Sequence, residues 1–399
     1  QDVSAVISAD STLYTFSSVN DCLMAIKDDQ VLWTEEFNSQ YDMNIVIDSE
    51  GILYLPVIFD GYHRLVSFDP KARIILWYSE QGWGTGTRNV ILAPDSILYV
   101  TFYDTSFRAI NKTDGKTLWT YDLPEGKVGR TSYGSDGWLY FISYQNTYYG
   151  KLTKSDSKSS QSIGNYYEPS RELAIDKEGT IYFASVGTSS DTLFAYNPNL
   201  SLKWKEALDD TTWIKCPPAI CPDGSIVVGS EGGYVHKVSK EGQYQWKSEK
   251  LGTGLYLPTV DAEGKIFISS ETDTIYCLNS SGQRQYSLYT LYWGQCLIGP
   301  GRRLFVVSQT AITCYNDKNS YKESKIIKES IPCKLNVSPN PFRDKLNIKS
   351  NMSVIIYSLT GQLIREIEKG DNIINTRNWK EGVYIIKSGK ECKKVVKIN

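Results

Sequence analysis

Ser96-Ile-Leu-Tyr-Val-Thr101, followed by Phe107-Arg-Ala-Ile-Asn-Lys-Thr-Asp-Gly-Lys-Thr-Leu-Trp119, holds the phrase on which the whole chain is built. Its kernel is an aliphatic residue, an aromatic and another aliphatic, preceded by a turn. Eight copies occur: Leu13-Tyr14-Thr15, Leu53-Tyr54-Leu55, Leu98-Tyr99-Val100, Leu139-Tyr140-Phe141, Ile181-Tyr182-Phe183, Ile226-Val227-Val228, Ile266-Phe267-Ile268 and Leu304-Phe305-Val306. Their central residues lie 40, 45, 41, 42, 45, 40 and 38 positions apart. A period of this size is the signature of a repeat architecture, in which one supersecondary unit cannot bury its apolar faces without its neighbours.

Each repeat carries further punctuation. Ahead of the triplet stands a short apolar run, such as Asn44-Ile-Val-Ile47 or Leu257-Pro-Thr-Val260. A turn comes between them: Asp48-Ser-Glu-Gly51, Asp176-Lys-Glu-Gly179, Pro222-Asp-Gly224 or Asp261-Ala-Glu-Gly264. Asp bonds its own backbone there and Gly accepts positive φ. About ten residues after the triplet a second strand-like phrase follows, as in Leu193-Phe-Ala-Tyr-Asn197 and Ile275-Tyr-Cys-Leu-Asn279. After another turn comes a Trp: Trp33, Trp77, Trp119, Trp204 and Trp246, with Tyr286 in its place in the seventh repeat and no counterpart in the fourth and eighth. Four short strands per forty residues with no helical period describe a propeller blade, and the fold class predicted is an all-β, eight-bladed β-propeller. A residue that recurs with the fold meets a structural demand, so the five Trp are expected to pack blade against blade.

Residues 107–119 closely resemble the repeat of the pyrroloquinoline-quinone-like propellers, which reads Leu-Tyr-Ala-Leu-Asp and then Thr-Gly-Lys-x-Leu-Trp. The resemblance covers about residues 1–325. It implies the architecture and leaves function open, because such propellers include dehydrogenases, assembly scaffolds and binding proteins.

After Asn316 the repeat fades. Residues 317–330, rich in Lys, Glu and Ser, are expected to form a last outer strand running into a linker. The domains are thus placed at 1–328 and 329–399. The second shows short alternating strands with Gly and Asn turns, which predicts a small β-sandwich. It closely resembles the C-terminal sorting domain of cargo carried by the type IX secretion system. The match rests on Pro339-Asn340-Pro341, on Ile356-Tyr357 with Gly361, on Gly382-Val383-Tyr384 and on the closing Lys393, Lys394 and Lys397. That resemblance implies engagement with the secretion machinery and export across two membranes. Release or anchoring at the cell surface would follow, with the domain kept or removed.

Charge divides the same way. Residues 334–399 hold 13 Lys+Arg against 6 Asp+Glu, a net of +7, while the remainder carries 30 against 39, a net of −9. An acidic propeller argues against nucleic acid as partner, since phosphate contacts dominate that affinity. Apolar runs are of strand length, so no membrane-spanning segment is expected. The start at Gln1-Asp-Val is what a mature chain would show after signal removal, with no N-terminal lipidated Cys. The eight Cys, an even number, suit an exported chain with disulfides. They match no zinc or haem spacing. Cys277 and Cys314 take the small position filled elsewhere by Ala25, Ala109 and Ala195, and are expected to be buried, whereas Cys333 and Cys392 flank the terminal strands of the last domain and could pair.

No catalytic set is legible. The only histidines are His63, on an inter-strand loop, and His236, inside a strand phrase. There is no nucleophile elbow, phosphate loop or zinc-binding His-Glu-x-x-His. The quinoprotein dehydrogenases of this propeller type carry an adjacent Cys-Cys pair and acidic calcium ligands. This chain has no Cys-Cys, so neither a quinone nor a haem follows from the resemblance, and no cofactor or metal is assigned. The Asp of the turns are expected to be solvated turn formers.

One constellation remains. Loops from one blade's outer strand to the next blade's inner strand lie on one face of a propeller, beside its channel. They hold Tyr41, Trp83 with Arg88, Tyr166 and Tyr167, Trp213, Tyr256 and Trp293. His63 and Tyr103-Asp104 are expected on the same face. Aromatic platforms beside Arg, Asp and His suit sugar rings or peptide side chains. The competing reading is that the rings plug the channel mouth. Three functions stay open: a secreted non-catalytic binding module for glycan or protein, a surface scaffold, and a hydrolase or lyase acting on extracellular polysaccharide through paired carboxylates.

Overall fold

The computed structural model describes residues 5–17, 22–28, 30–37, 44–59, 61–80, 87–102, 106–123, 127–144, 149–156, 159–167, 169–170, 172–186, 190–209, 212–214, 216–290, 294–299, 303–307, 312–316, 323–327, 335–350, 353–359, 362–368, 370–388 and 391–398. Every element among them is a β-strand. The chain divides into two compact units, Gln1–Lys328 and Glu329–Asn399.

The first unit contains eight antiparallel sheets of four strands, each in sequential order. Blade 1 runs from Ala5–Ile7 to Gln30–Glu36, and blade 8 from Gln295–Gly299 to Glu323–Ile327. The first strands of neighbouring blades approach one another, including Ala5–Ile7 of blade 1 and Gln295–Gly299 of blade 8, so first strands line the axis and the ring is closed. No strand is exchanged to close it, because Glu323–Ile327 pairs within its own blade and Ala5–Ile7 within blade 1.

The triplets explain how the ring holds. Successive side chains of a strand point to opposite faces. The central residue therefore faces the next blade while its two neighbours face the previous one. Tyr14 packs with Leu53 and Leu55, Tyr54 with Leu98 and Val100, Tyr99 with Leu139 and Phe141, and Tyr140 with Ile181 and Phe183. Tyr182 packs with Ile226 and Val228, Val227 with Ile266 and Ile268, and Phe267 with Leu304 and Val306. Phe305 of the last triplet completes the circle against Leu13 of the first. Each interface is thus one forward knob set between two aliphatic residues of the following blade.

The Trp form a second layer. Each sits opposite a small or aliphatic-stemmed residue of the third strand, beside a bulge: Ala25↔Trp33, Ser67↔Trp77, Ala109↔Trp119, Ala195↔Trp204 and Lys237↔Trp246, with Cys277↔Tyr286 at the equivalent place. Three of the indoles donate from Nε1 to the next blade's third turn: Trp77 to Lys112 O (3.0 Å), Trp204 to Lys240 O (2.8 Å) and Trp246 to Ser280 O (3.2 Å). Their rings lie over glycines of those turns. A Cβ at Gly115, Gly242 or Gly282 would come within 2.5–2.6 Å of a ring carbon.

Blade 4 has no Trp on its fourth strand, and the junction is filled instead by Trp138 of its first turn, over whose ring Lys154 Nζ lies at 4.6 Å, and by the following blade. The third turn of blade 5 carries Leu200 where those of blades 3, 6 and 7 carry Gly115, Gly242 and Gly282, and Leu200 is buried in the interface core although its φ is 64°. Lys154 donates to Pro198 O (3.0 Å), the carbonyl an indole would otherwise reach. Between blades 8 and 1, Arg303 instead reaches the Asp28 carboxylate (3.0 Å).

The inner strands are also laced around the axis. Asn44 donates to Val90 O (2.7 Å) and accepts from Val90 N–H (2.6 Å); Asn89 donates to Thr131 O (2.9 Å), Ser132 to Leu173 O (3.1 Å) and Thr259 to Cys296 O (2.9 Å). These bonds occupy backbone groups along edges that would otherwise be open.

The turn aspartates form the turns as expected, but Asp48 is buried rather than solvated. Asp48 accepts from the N–H of Glu50 (2.9 Å) and Ile52 (2.9 Å), from Tyr54 Oη (3.0 Å) and from Lys112 Nζ of blade 3 (3.0 Å). Asp176 repeats the set with Glu178, Thr180 and Tyr182. These carboxylates are structural acceptors that orient the forward Tyr, because a buried hydroxyl needs a partner. Burial opposes the charge on Asp48, Asp176 and Asp223. It is outweighed by N–H and hydroxyl donors, joined by Lys112 at Asp48 and Lys237 at Asp223, so all three pKa values lie below the usual carboxylate range. A depressed folded-state pKa contributes stability that is complete above the unfolded value and lost as pH falls through the folded one. The urea midpoint should therefore be flat at neutral pH and drop below about pH 4. Asp176→Asn should differ most from wild type at neutral pH, with the gap shrinking below that point. A constant gap would refute the assignment.

The second unit is a sandwich of a three-stranded sheet, Leu335–Ser338, Lys345–Ser350 and Gly370–Asn375, and a four-stranded sheet. Leu346, Ile348, Ile374, Val354, Ile356 and Ile386 fill its core. Of the cysteines, Cys22, Cys216, Cys221, Cys277, Cys296 and Cys314 are buried and Cys392 is exposed, while Cys333 lies outside the described residues. Burial pushes the Cys216 and Cys296 thiols up to about 12 and Cys277 to about 11, so all three stay protonated.

Candidate functional site

Of the face expected to carry function, Tyr41, Trp83, Tyr103, Asp104 and Trp293 lie outside the described residues, as does the side chain of Arg88 on strand Thr87–Leu92. His63, Tyr166, Tyr167, Trp213 and Tyr256 are described; Trp213 and Tyr256, on different blades, are linked through main-chain hydrogen bonds and the Glu271 carboxylate.

His63 stands on strand Tyr62–Asp69, paired with Ile58. Its neighbours Phe59 and Tyr62 are exposed, and Phe59 stacks on Tyr78 with centroids 4.5 Å apart. Burial lowers the imidazole pKa, so it is neutral at neutral pH. Tyr166 is built into the junction of blades 4 and 5. Its ring meets Phe183 and Phe194 edge-on at 4.9 and 5.1 Å, and its hydroxyl lies 2.5 Å from that of Tyr196.

Trp213 and Tyr256 are joined by a run of hydrogen bonds crossing blades 6 and 7. Glu231 N–H donates to Trp213 O (3.0 Å), Gly254 N–H to Glu231 O (2.9 Å) and Glu271 N–H to Gly254 O (3.0 Å). Tyr256 Oη then donates to Glu271 Oε1 (2.7 Å). Trp213 is 40 % exposed with φ at 46°, a left-handed conformation that costs a bulky residue on the order of 1–2 kcal/mol. The bond from Glu231 helps hold it there. Burial, then the Glu271 carboxylate, raises the Tyr256 pKa far above neutrality, so this phenol donates a proton and does not act as a base. Elsewhere near the axis Arg130 and Glu172 form an ion pair between blades 4 and 5. Among the described residues no group of three or more His, Cys, Asp or Glu is placed to hold a metal ion. A cavity of about 200 Å³ lies between the first turns of blades 1 and 2, but its carboxylates Asp10 and Asp48 are already bonded within their turns. His236 is fully buried, its Nδ1 2.9 Å from Tyr244 Oη, which gives it a packing place in blade 6.

In the second unit the quoted motifs meet at one corner. Pro339, Asn340 and Pro341 are exposed, and Phe342 beside them is buried against Trp379 and Tyr384 at 6.0 and 6.2 Å. Tyr384 of Gly382-Val383-Tyr384 packs tilted against Trp379 with centroids 4.8 Å apart and donates to Lys380 O (2.7 Å). The three lysines differ: Lys394 is exposed, Lys393 half-buried, and Lys397 buried with Nζ on Ile398 O (3.2 Å). Gly361 lies outside the described residues.

Comparison with known proteins agrees with both units. Residues 336–398 match the family model described as secretion system C-terminal sorting domain, and residues 18–199 match that of the outer membrane protein assembly factor BamB. The crystal structure of BamB from Moraxella catarrhalis superposes with a TM-score of 0.55 at 12 % identity, covering 81 % of this chain and 95 % of that one. The computationally designed Ika8 protein gives 0.59 at 12 % identity, covering 82 % and 95 %. No curated protein matches the sequence.

The chain is a propeller of the pyrroloquinoline-quinone-like repeat type with a type IX sorting domain. The sorting domain sends the propeller to the cell surface or beyond it. Two carboxylates of the propeller's described face, Glu231 and Glu271, were not among the expected site residues. A signal for them exists, since each stands four positions after the centre of its triplet, Val227 and Phe267. No other repeat has an acid there.

Proposed function

We propose that the exported propeller is a non-catalytic binding module whose ligand docks on the face carrying Trp213, Glu231, Tyr256 and Glu271. The observation that carries this reading is Trp213, a large half-exposed ring kept in a costly backbone conformation and tied to Glu231. Strain of this kind persists where the surroundings impose it, and it clusters at ligand sites. The main-chain run that starts at Trp213 also carries the acids Glu231 and Glu271, the latter bonded to the Tyr256 phenol. A flat apolar surface next to acceptors suits a sugar, whose C–H face stacks while its hydroxyls donate. A glycan is therefore favoured over a protein ligand.

Titration of the full chain against the glycans it retains on an array would test this. Trp213→Ala should weaken binding about tenfold or more, as expected for an aromatic anchor. Equal binding by the variant would overturn the reading. Cleavage of the bound glycan would replace it with the hydrolase alternative, and retention of proteins with no glycan would turn it into a protein scaffold.

A further inference from the structure

The strand Glu391–Lys397 closes the sorting domain at one side of the sheet ordered Leu363–Ile367, Val354–Ser358, Gly382–Ser388, Glu391–Lys397. Among the described residues no further strand of that sheet lies along its outer edge, and an open edge invites foreign pairing. The Pro-Asn-Pro-Phe run covers it. Asn340 donates from Nδ2 to Lys394 O (3.1 Å) and accepts at Oδ1 from Val396 N–H (3.0 Å). Phe342 continues the pattern with its main chain, donating to Val396 O (2.9 Å) and accepting from Ile398 N–H (2.9 Å), a parallel bridge opposite Lys397.

Chemistry explains an amide between two prolines. Neither Pro339 nor Pro341 has an N–H, so neither can give the donor that Lys394 O requires. A carboxamide supplies a donor and an acceptor in one plane, as a peptide group does. Hydrophobic residues there would supply neither, and a carboxylate would lack the donor. The bonded carbonyl belongs to Lys394, the most exposed of the three motif lysines, and the next bonded group is two residues on.

We propose that Asn340 is a positioning residue for export: it pins the closing strand so that Lys394 is displayed, at a fixed place, to an acidic site of the secretion machinery. The inference rests on the sorting function of this domain and adds which residue is presented and which one holds it. Lys397, turned inward onto Ile398 O, takes no part in the contact.

Export of the full chain in a host with the type IX system tests the idea, with amide exchange as a second readout. Asn340→Ala and Lys394→Gln should each lower the exported fraction about tenfold. The double variant should be no worse than either single, because one acts through the other. Exchange at the Val396 amide should quicken about tenfold in Asn340→Ala and stay unchanged in Lys394→Gln. Ile374→Val trims the core of the same domain without touching the latch and should be exported normally. The proposal fails if Asn340→Ala or Lys394→Gln is exported like wild type. It also fails if the double variant loses the product of the single effects, or if Ile374→Val falls as far as Asn340→Ala.

Discussion

Phe305→Ala should cost the propeller about 3–5 kcal/mol, the range for removing a buried Phe from a packed core. The ring is 3 % exposed and packs on Leu13, Met24 and Ile26 of blade 1. Phe267→Ala, at the junction of blades 7 and 8, removes a ring of equal size and should lower the urea midpoint by a similar amount. The two should differ in where the molecule opens. Blades 7 and 8 are joined by chain, whereas blades 8 and 1 meet, among the described residues, through side chains and inner-strand contact, including the exposed Arg303–Asp28 pair. Such a pair contributes at most about 1 kcal/mol. Loss of Phe305 should thus raise amide exchange first in blades 1 and 8, by sub-global opening. Exchange rising uniformly around the ring would show that closure is no weaker than any other junction.

That distinction was partly legible in the sequence. The period near forty shows eight blades because each needs neighbours, and a complete first repeat argues against an exchanged closing strand. What the triplet does could not be read from it. Alternation says that Tyr54 and Leu53 point opposite ways, but only the ring assigns Tyr54 to the next blade and Leu53 to the previous one. The burial of Asp48 was hidden for a related reason. Asp48 sits in a turn, yet one of its partners, Lys112, comes from the next blade, 64 residues away. The latch of the sorting domain was equally hidden. Pro339-Asn340-Pro341 is recognisable as a motif, but its partners lie 54 and 56 residues further on. Within the candidate face, Trp213 and Tyr256 were found as aromatics outside the packing position. Tyr166 met the same criterion, although its ring packs on Phe183 and Phe194. Loop position alone does not separate an exposed ring from one folded under its own blade.

The second large effect is expected from a single methyl group. Gly242→Ala would place a Cβ 2.6 Å from Cγ of Trp204, in a residue whose φ is 87°. The backbone term is about 1–2 kcal/mol and the overpacking term about 1–3 kcal/mol, so a loss of about 2–4 kcal/mol is expected. Gly264→Ala separates the two contributions. Its φ is 82°, but the nearest atom to a Cβ there is Ser280 Cβ at 3.4 Å, so only the backbone term should appear. Equal losses from both variants would mean that the indole yields freely and does not depend on the glycine beneath it. The junction of blades 4 and 5 points to the rescue. There no indole comes from the fourth strand, Trp138 of the first turn packs on the core instead, and Leu200 occupies the glycine position at φ 64° with its side chain buried. Trp204→Ala alone opens a cavity, and Gly242→Leu alone collides with the ring. Combined, they exchange one filling for the other and should lose less stability than the sum of the single changes, since residues sharing a cavity couple. Strict additivity in urea unfolding would show that Leu200 is accommodated by features peculiar to the junction of blades 4 and 5, such as Trp138 and Lys154 on Pro198 O, and that the Trp–Gly pair and the buried Leu are not interchangeable solutions to one packing problem.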